Sequence, residues 1–571
     1  MSYDLIIRGG TIVDGSGAPG YQGDIGIIGD RLAAIGNLKG ESAKKVIDAE
    51  GQVVAPGFID AHTHMDAQVF WDPIGTCSCW HGVTSVVMGN CGFTIAPCAE
   101  KDKALVLRNL ERSEEISPAA MDAAVRWSWR TFPEFLDTLG KLPKGINYST
   151  YVGHSALRTY AMGERAFTEK ATPDDMRKMT AEFRSAMRAG SMGLSTSRTA
   201  NHKTPDGGPV ASRVGDWSEV QELVGVMKEL GSGIFEISRE VSDSDPERKR
   251  REREQMKALA LDSGVKMTFG SSWYLRHLPN DWQAHLAMCD EISEAGGKLM
   301  IQGTASWNSS LRSFETLMLY DLAPVWKDFR KLPLEQQEAG LRDPAMREKL
   351  VAATRNYTVS KDPAAPNALT RPVDWNWIFP FHAPLPPYRS IADMVREQGR
   401  EPIEIIIDLA LEKHLKLFFL NPNSNEDQEY VLKMIKHPNT AVTFTDSGAH
   451  VVSVINPVQT YMLGYWVRER QQIAIEEAVR KMTSHIASFW GLHGRGLLCE
   501  GYAADVVVFD PKTISPALPT LARDLPTGAE RLMQKAIGIS NTIVNGEILM
   551  QDGEHTGALP GRLIKGPIAS N

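Results

Sequence analysis

Residues 53–66, Val53-Val54-Ala55-Pro56-Gly57-Phe58-Ile59-Asp60-Ala61-His62-Thr63-His64-Met65-Asp66, set two histidines at alternate positions at the end of a short apolar run. On a strand, side chains two apart face the same way about 6 to 7 Å from each other, so two imidazoles converge on one ion. An isolated His-x-His pair is common by chance. At the end of an apolar strand and after a β-rich start, it reads as a metal site with His62 and His64 as ligands.

Upstream, short β-like runs at 3–8, 11–13, 24–28, 31–35 and 45–48 alternate with Gly and Asp turns, which predicts a small sheet. A second patch closes the chain at 503–511 and 541–553, where Asn545-Gly546 and Asp552-Gly553 are hairpin signals. The two ends are expected to join as one domain, 1–56 plus 499–560. Downstream of the histidines, apolar runs recur at 82–90, 146–154, 191–197, 232–238, 264–272, 298–304 and, far later, 440–448, with helical stretches between them. With 57–64 they number about eight, the pattern of a (β/α)₈ barrel over 57–498. The helical spacing of 218–230 and 402–413 suits its outer ring, and the mixed-charge run 247–255 suits a solvated helix face. From 305 to 390 the strand rhythm stops, and Trp307, Trp326, Trp375 and Trp377 stand among many prolines. A helical insertion with a Pro-rich loop over the barrel's C-terminal mouth is expected there, with plain core filling or an interface as the alternative.

Composition narrows the function classes. Against 70 acidic residues the chain carries 62 Lys and Arg, a net charge of -8, which opposes a nucleic-acid footprint or a basic membrane face. No apolar run approaches the roughly 18 residues of a membrane span. Six cysteines in 571 residues are too few for a disulfide scaffold, so reduced thiols are expected. The first residues lack a basic stretch followed by an apolar core, so nothing marks them for export and the expected compartment is the cytoplasm.

VVAPGFIDAHTHMD (53–66) resembles the first-strand signature of the amidohydrolase superfamily, and its neighbours resemble the D-aminoacylase (N-acyl-D-amino-acid deacylase) branch. MGNCGFTIAP (88–97) is similar to that branch's second-strand cysteine motif, YVGHSALR (151–158) to its third-strand loop and GLSTS (193–197) to its fourth strand. The likeness continues through LRDPAMREKL, MLGYWVRE, EEAVRKMTSHIASFWGL, RGLLCEGYAADVVVFDP, VNGEIL and GALPGRLI, and so covers nearly the whole chain. It implies an α/β fold: a (β/α)₈ TIM barrel, a small β-sandwich domain built from both termini, and an insertion near the barrel mouth. It also implies one or two zinc ions per chain and hydrolysis of an N-acyl amide.

By the same resemblance, Asp446 in TFTDSGAH matches the aspartate that ends barrel strand eight. A carboxylate beside a metal-activated water both contacts the ion and moves the proton, so Asp446 is the expected ligand and general base; capping the following turn is the plainer role. Cys91 matches the branch's metal-ligating cysteine, and a thiolate is a good zinc ligand, although a thiol in a buried Gly-Asn-Cys-Gly turn also packs without metal. The strand-four end, MGLSTSRT, holds no lysine, so a carbamylated-lysine bridge is not expected.

Three departures qualify the carry-over. Where the branch has a strand-five histidine followed two residues later by arginine, this chain has Ile237 before Arg239. On strand six, Phe269-Gly270-Ser271-Ser272-Trp273 holds no histidine. The second metal position keeps only Cys91 and Glu236, so one ion on His62, His64 and Asp446 is the better expectation. After Asp446, residues 450–457 contain no arginine to grip a substrate α-carboxylate. Arg198 and His202, in Ser197-Arg198-Thr199-Ala200-Asn201-His202-Lys203, offer an anion or carbonyl site, or His202 completes the metal set; a solvated loop is the plainer reading. His154 and His450 follow strands three and eight, where barrel active sites lie. Trp375 and Trp377 are the expected apolar wall of the pocket.

The expected function is that of a cytoplasmic zinc-dependent amidohydrolase, cutting a C–N amide bond with a zinc-activated water in an apolar or aromatic small molecule. No nucleic-acid or membrane partner is expected, and self-association is left open. A lactone, ester or cyclic amide is the alternative substrate. From another class, a catalytically inactive binding or structural paralogue is the competing reading, which the two missing histidines permit.

Overall fold

The computed structural model describes residues 2–240, 245–270, 274–355, 357, 359, 369 and 372–570, with the side chains of 569 and 570 left aside. Residues 271–273, part of the strand-six stretch without a histidine, lie outside the described residues. The fold is mixed α/β.

Both chain ends build one sheet. Ser2–Ile12, Tyr21–Ile28, Arg31–Gly36, Ser42–Asp48 and Val53–Pro56 are joined there by Val506–Phe509, Ile539–Val544, Glu547–Gln551 and Glu554–His555. Val506–Phe509 is the joint, antiparallel to Val53–Pro56 on one side and to Ile539–Val544 on the other. The runs expected at 3–8 and 11–13 are one strand with an irregularity between Ile7 and Gly10. The hairpin of Ile539–Val544 and Glu547–Gln551 turns on Asn545 (φ 46°) and Gly546 (φ 86°), the two positive values that a tight type I′ turn requires. Leu5, Ile7, Ile25, Val54, Val506 and Ile543 form the apolar core on this sheet.

The middle of the chain is built from parallel strands. Phe58–Asp60, Val83–Met88 and Asn147–Thr150 pair in that order. Val152–Gly153, Gly193–Ser197, Ile234–Ser238, Lys266–Gly270, Leu299–Gly303 and Thr440–Val442 form a six-stranded parallel sheet, and Phe444–Ser447 pairs with His62–Thr63. These strands are almost wholly buried, which is why they read as apolar runs rather than alternations. The helices between them start and stop on local signals. Pro173–Ala189 begins at a Thr172/Asp175 capping box and ends at Gly190 (φ 117°). The mixed-charge stretch lies on the helix Pro246–Ser263, capped by Asp245 and mostly exposed, as its composition predicts.

Between Leu299–Gly303 and Thr440–Val442 the chain makes a body with its own core. Asn308–Arg312, Phe419–Ser424 and Phe379–Pro380 form a three-stranded antiparallel sheet, so the departure from strand rhythm runs past 390 to Ser424. The helix Pro402–Glu412, expected on a barrel's outer ring, instead packs Ile403, Ile405, Ile406 and Ile407 with Trp326, Phe329 and Leu350 of this body. Its apolar spacing was legible; its partner was not.

A buried polar network ties the terminal sheet to the parallel strands. Asp505 accepts from Arg495, from the Asn545 N–H at 2.8 Å and from Asn147 Nδ2 at 3.3 Å, and Asn545 Nδ2 donates to Asn147 Oδ1 at 2.7 Å. Removing the carboxylate strands the Arg495 guanidinium, which is only 12% exposed. Asp505→Ala is therefore expected to destabilise the protein by about 3–5 kcal/mol, read as a lowered urea midpoint, with Asp505→Asn losing less.

Candidate metal centre

His62–Thr63 lies parallel to Phe444–Ser447, with Phe444 opposite His62, Ser447 opposite Thr63, and an irregularity between them. That irregularity falls on Thr445 and Asp446, and Asp446 takes a left-handed φ of 61°. An extra residue in a strand re-aims the side chain it carries. Asp446 Oδ1 thereby comes to 3.1 Å from His64 Nε2 and 3.5 Å from His62 Nε2. Gly448 makes room, since a Cβ there would sit 2.5 Å from the His64 carbonyl oxygen.

The fourth donor arrives from a second bend. Cys91, with φ 57° between Gly89 and Gly92, gives its N–H to Glu236 Oε2 at 2.7 Å and brings Sγ to 3.5 Å from His62 Nε2. The donor atoms of His62, His64 and Cys91 lie within 4.8 Å of one another, all buried. A tetrahedral zinc with bonds of about 2.0–2.3 Å puts neighbouring donors about 3.3–3.6 Å apart. Three of the donor pairs, at 3.1, 3.5 and 3.5 Å, come near that spacing.

The electrostatics fit a cation as well. Burial takes His62 down to about 4, so its ring is neutral, and its Nδ1 sits 2.6 Å from Gln302 Oε1 with Nε2 left toward Asp446. Burial also works to lower His64, but Glu114 and Asp446 outweigh it and hold the ring up at about 9. Burial would raise Asp446; the His64 hydrogen bond and the charges of His64, His62 and His450 hold it well below the carboxylate range. Burial pushes Glu236 up to about 8 and Cys91 well above its ordinary value, with neighbouring carboxylates adding to the effect on the thiol. Buried polar atoms of Glu236 (Oε1), Glu114 (Oε2) and His64 (Nδ1) have no hydrogen-bond partner among the described residues. A divalent ion held by these residues would supply positive charge among the acids.

The centre opens into a cavity of about 550 Å³, within the range of small-molecule sites. His202 and His450 line it, as do Arg112, Arg239, Glu111, Glu114 and Glu115. His450 Nε2 is 3.9 Å from Asp446 Oδ2, and His202 Nδ1 is 2.7 Å from Ser197 Oγ. Across the cavity the inserted sheet presents Asn308, Ser310 and Asn423.

Other expected site residues lie elsewhere. His154 is fully buried between Thr196 Oγ1 (2.8 Å) and Glu219 Oε1 (2.6 Å), and Arg158 closes that network on Glu219. Arg198 gives Nη1 to the Gly215 carbonyl and does not line the cavity. Neither does Trp375 or Trp377. Trp375 packs against the insertion's core near Tyr320, and Trp377 meets Trp307 and Phe379 edge-on at 6.5 and 6.1 Å. Their aromatic surface is taken up by the inserted body, and the apolar side chains that line the cavity among the described residues are others, Leu317, Phe444, Val452 and Val454. Gln302, Glu114 and Glu115 escaped the sequence reading, because a glutamine inside a strand and a Glu-Glu pair at a helix end carry no chemical signature. Arg239 appeared there only as an alignment mark; here its guanidinium stacks 4.6 Å over the Phe269 ring and donates to His285 Nε2 at 2.6 Å.

A profile of the amidohydrolase family matches residues 45–550. The chain belongs to the amidohydrolase family. A D-aminoacylase of Alcaligenes xylosoxydans xylosoxydans is 27% identical over 98% of this chain and 97% of its own. The N-acyl-D-glutamate deacylase of Bordetella bronchiseptica, solved with zinc and a phosphonate mimic of the tetrahedral intermediate, superimposes with a TM-score of 0.65 at 23% identity over 99% of this chain and 100% of that one. A D-aminoacylase studied for one-metal activation and second-metal attenuation of its binuclear centre gives a TM-score of 0.64 at 23% identity, over 99% and 100% of the two chains.

The strand-five departure has a structural reason. Glu236 turns toward the centre, whereas Ile237 points into the main apolar core with Phe235. Ile237→His is therefore expected to cost about 1–3 kcal/mol for a buried polar group without a partner, and to leave the zinc content unchanged. Urea denaturation and elemental analysis of the variant check both parts.

Proposed function

We propose that this metal-dependent amidohydrolase holds one zinc ion on His62, His64, Cys91 and Asp446 and cleaves the C–N amide bond of a small polar N-acyl compound, as N-acyl-D-amino-acid deacylases do. The observation that carries the reading is the buried cluster of His62, His64 and Cys91, with the Asp446 carboxylate 3.1 Å from His64, lining a cavity of substrate size. A paralogue without chemistry has no physical reason to bury two imidazoles and a thiol together beside the Asp446 carboxylate.

The fold supports this placement. The three groups of parallel strands meet where the backbone breaks at Ala61, Tyr151 and Thr443, and the pairing of Phe444–Ser447 with His62–Thr63 brings the last strand to the first. Counted through those breaks the strands number eight, and we read them as a (β/α)₈ barrel over 57–498. The terminal sheet is then the sandwich domain, 1–56 plus 499–560, and the inserted body covers the mouth. The six unpaired cysteines suit a reducing compartment, and we place the enzyme in the cytoplasm. Among the described residues no helix is long and apolar enough to cross a membrane.

When bound, zinc polarises the scissile carbonyl and acidifies the attacking water. Asp446 divides its carboxylate: Oδ1 sits in the donor set, and Oδ2 turns toward His450. Oδ2 takes the proton of the attacking water and returns it to the departing nitrogen. The carbonyl side of the substrate faces Asn308, Ser310 and Asn423, hydrogen-bonding groups that suit a polar acyl portion better than an aromatic one. Arg239, already positioned by Phe269 and His285, is the cation available for a substrate carboxylate in place of Arg198. A single working ion accords with the one-metal activation described for the related D-aminoacylase.

Three outcomes follow. Protein purified without added metal should carry about one zinc per chain, and two that both survive dialysis would overturn the mononuclear centre. Asp446→Asn should lower kcat by at least about 10²-fold, the scale of a general acid-base group, with the fold retained by circular dichroism. Across a panel of N-acyl amino acids, their amides, esters, lactones and cyclic amides, the free acid should be preferred; Arg239→Gln should raise its KM about 10- to 100-fold, the worth of a charged hydrogen bond, and Arg198→Ala should not. Indifference to the carboxylate would point instead to a broad amidase or lactonase.

A further inference from the structure

The parallel strands supply His62, His64 and Asp446 but not what holds two of the histidines around them. That comes from the end of the helix Lys103–Glu114. Glu114 is its last residue, and Glu115 follows in the left-handed region at φ 54°. A helix normally ends there on glycine, which has no side chain to place. Here both positions carry carboxylates, and the change of backbone hand sends them apart.

Glu114 Oε2 lies 3.6 Å from His64 Nδ1, with the two side chains 3% and 4% exposed. Neither atom has a hydrogen bond among the described residues, and each faces the other. Glu115 Oε2 lies 3.8 Å from His450 Nδ1 and accepts from Ser453 Oγ. The Glu114 carbonyl accepts the His450 N–H at 2.6 Å, so the same turn also grips the backbone of the loop after Asp446. One two-residue turn thus reaches a metal-binding histidine with one carboxylate and the neighbour of the proton-accepting Asp446 Oδ2 with the other.

We propose that Glu114 and Glu115 form a positioning clamp. Glu114 fixes the ring of His64 with its Nδ1–H outward, so that Nε2 stays toward Asp446 and the ion. Glu115 holds His450 beside Asp446 Oδ2. The clamp rests on the metal reading above and adds to it the residues that decide how tightly the ion is held. A ligating histidine is oriented by what its other nitrogen meets, and losing that partner typically costs 10- to 100-fold in metal affinity. His62 already has its partner in Gln302 at 2.6 Å. For His64 it is a carboxylate from outside the parallel strands, which also makes the imidazole the more basic ligand of the two.

The test is zinc affinity, measured by competition with a chromophoric chelator, together with kcat and KM on the zinc-loaded protein. Glu114→Gln keeps the shape and removes the charge; it should weaken zinc binding by about 10- to 100-fold, and Glu114→Asp should recover part of that loss. Glu115→Gly suits the left-handed backbone while deleting the carboxylate. It should leave zinc affinity within about twofold of wild type and lower kcat with KM retained, because it acts on His450 rather than on a ligand. Wild-type affinity in Glu114→Gln overturns the role of Glu114, and wild-type kcat in Glu115→Gly overturns that of Glu115. A folded wild-type chain that takes up no zinc sinks the metal reading and the clamp together.

Discussion

The centre depends on one pairing, that of the two-residue strand His62–Thr63 with Phe444–Ser447. Just before it, the Ala61 N–H donates to Thr443 Oγ1 across 382 residues of sequence, and Thr445 Oγ1 donates to the buried Asp60. These bonds fix the register in which Asp446 faces His62 and His64. Because side chains alternate along a strand, a slip of one residue would turn the Asp446 carboxylate away from the imidazoles. The irregularity at Thr445 and Asp446, with its positive φ, is the local cost of presenting an oxygen where regular pairing would present a backbone edge.

Around that joint the protein gathers acidic groups, of which His64 partners Asp446 and Glu114. Glu114, Glu236 and Cys91 are buried, and Asp446 half-buried, within reach of His62 and His64, and burial raises the cost of ionising Glu236 and Cys91 in the absence of a positive ion. Arg239 is committed to Phe269 and His285 at the wall.

The inserted body gives the cavity its second character through a two-faced sheet. In the pairing of Asn308–Arg312 with Phe419–Ser424, Ser310 stands opposite Asn421 and Leu311 opposite Leu420. Ser310, with Asn308 and Asn423, looks on the cavity; Leu311 and Leu420 pack behind with Phe379, Phe381 and Trp307. The tryptophans therefore serve the insertion's interior, and the sheet offers amides and a hydroxyl to the cavity.

Much of this was legible along the chain. Apolar runs marked the buried parallel strands, Asn545-Gly546 and Asp552-Gly553 marked the closing hairpins, and His62-Thr63-His64 marked two imidazoles that the structure brings together. Cys91 and Asp446 were recognisable from local motifs. What sequence could not decide was direction and partner. Ile237 points into the core while its neighbour Glu236 takes the inward position, the isoleucines of Pro402–Glu412 pack on the insertion rather than on the strands, and Trp375 and Trp377 find apolar neighbours before they reach the cavity. His154 and Arg198 stand near the strand ends but are consumed by Glu219 and by a backbone carbonyl. Glu114 and Glu115 show the limit most clearly. Two acids at a helix end read as a solvated terminus, and only the packing of that helix against the loop after Asp446 buries one of them against His64, because a side chain's neighbours across the fold are set by the closure of the chain and not by its local spacing.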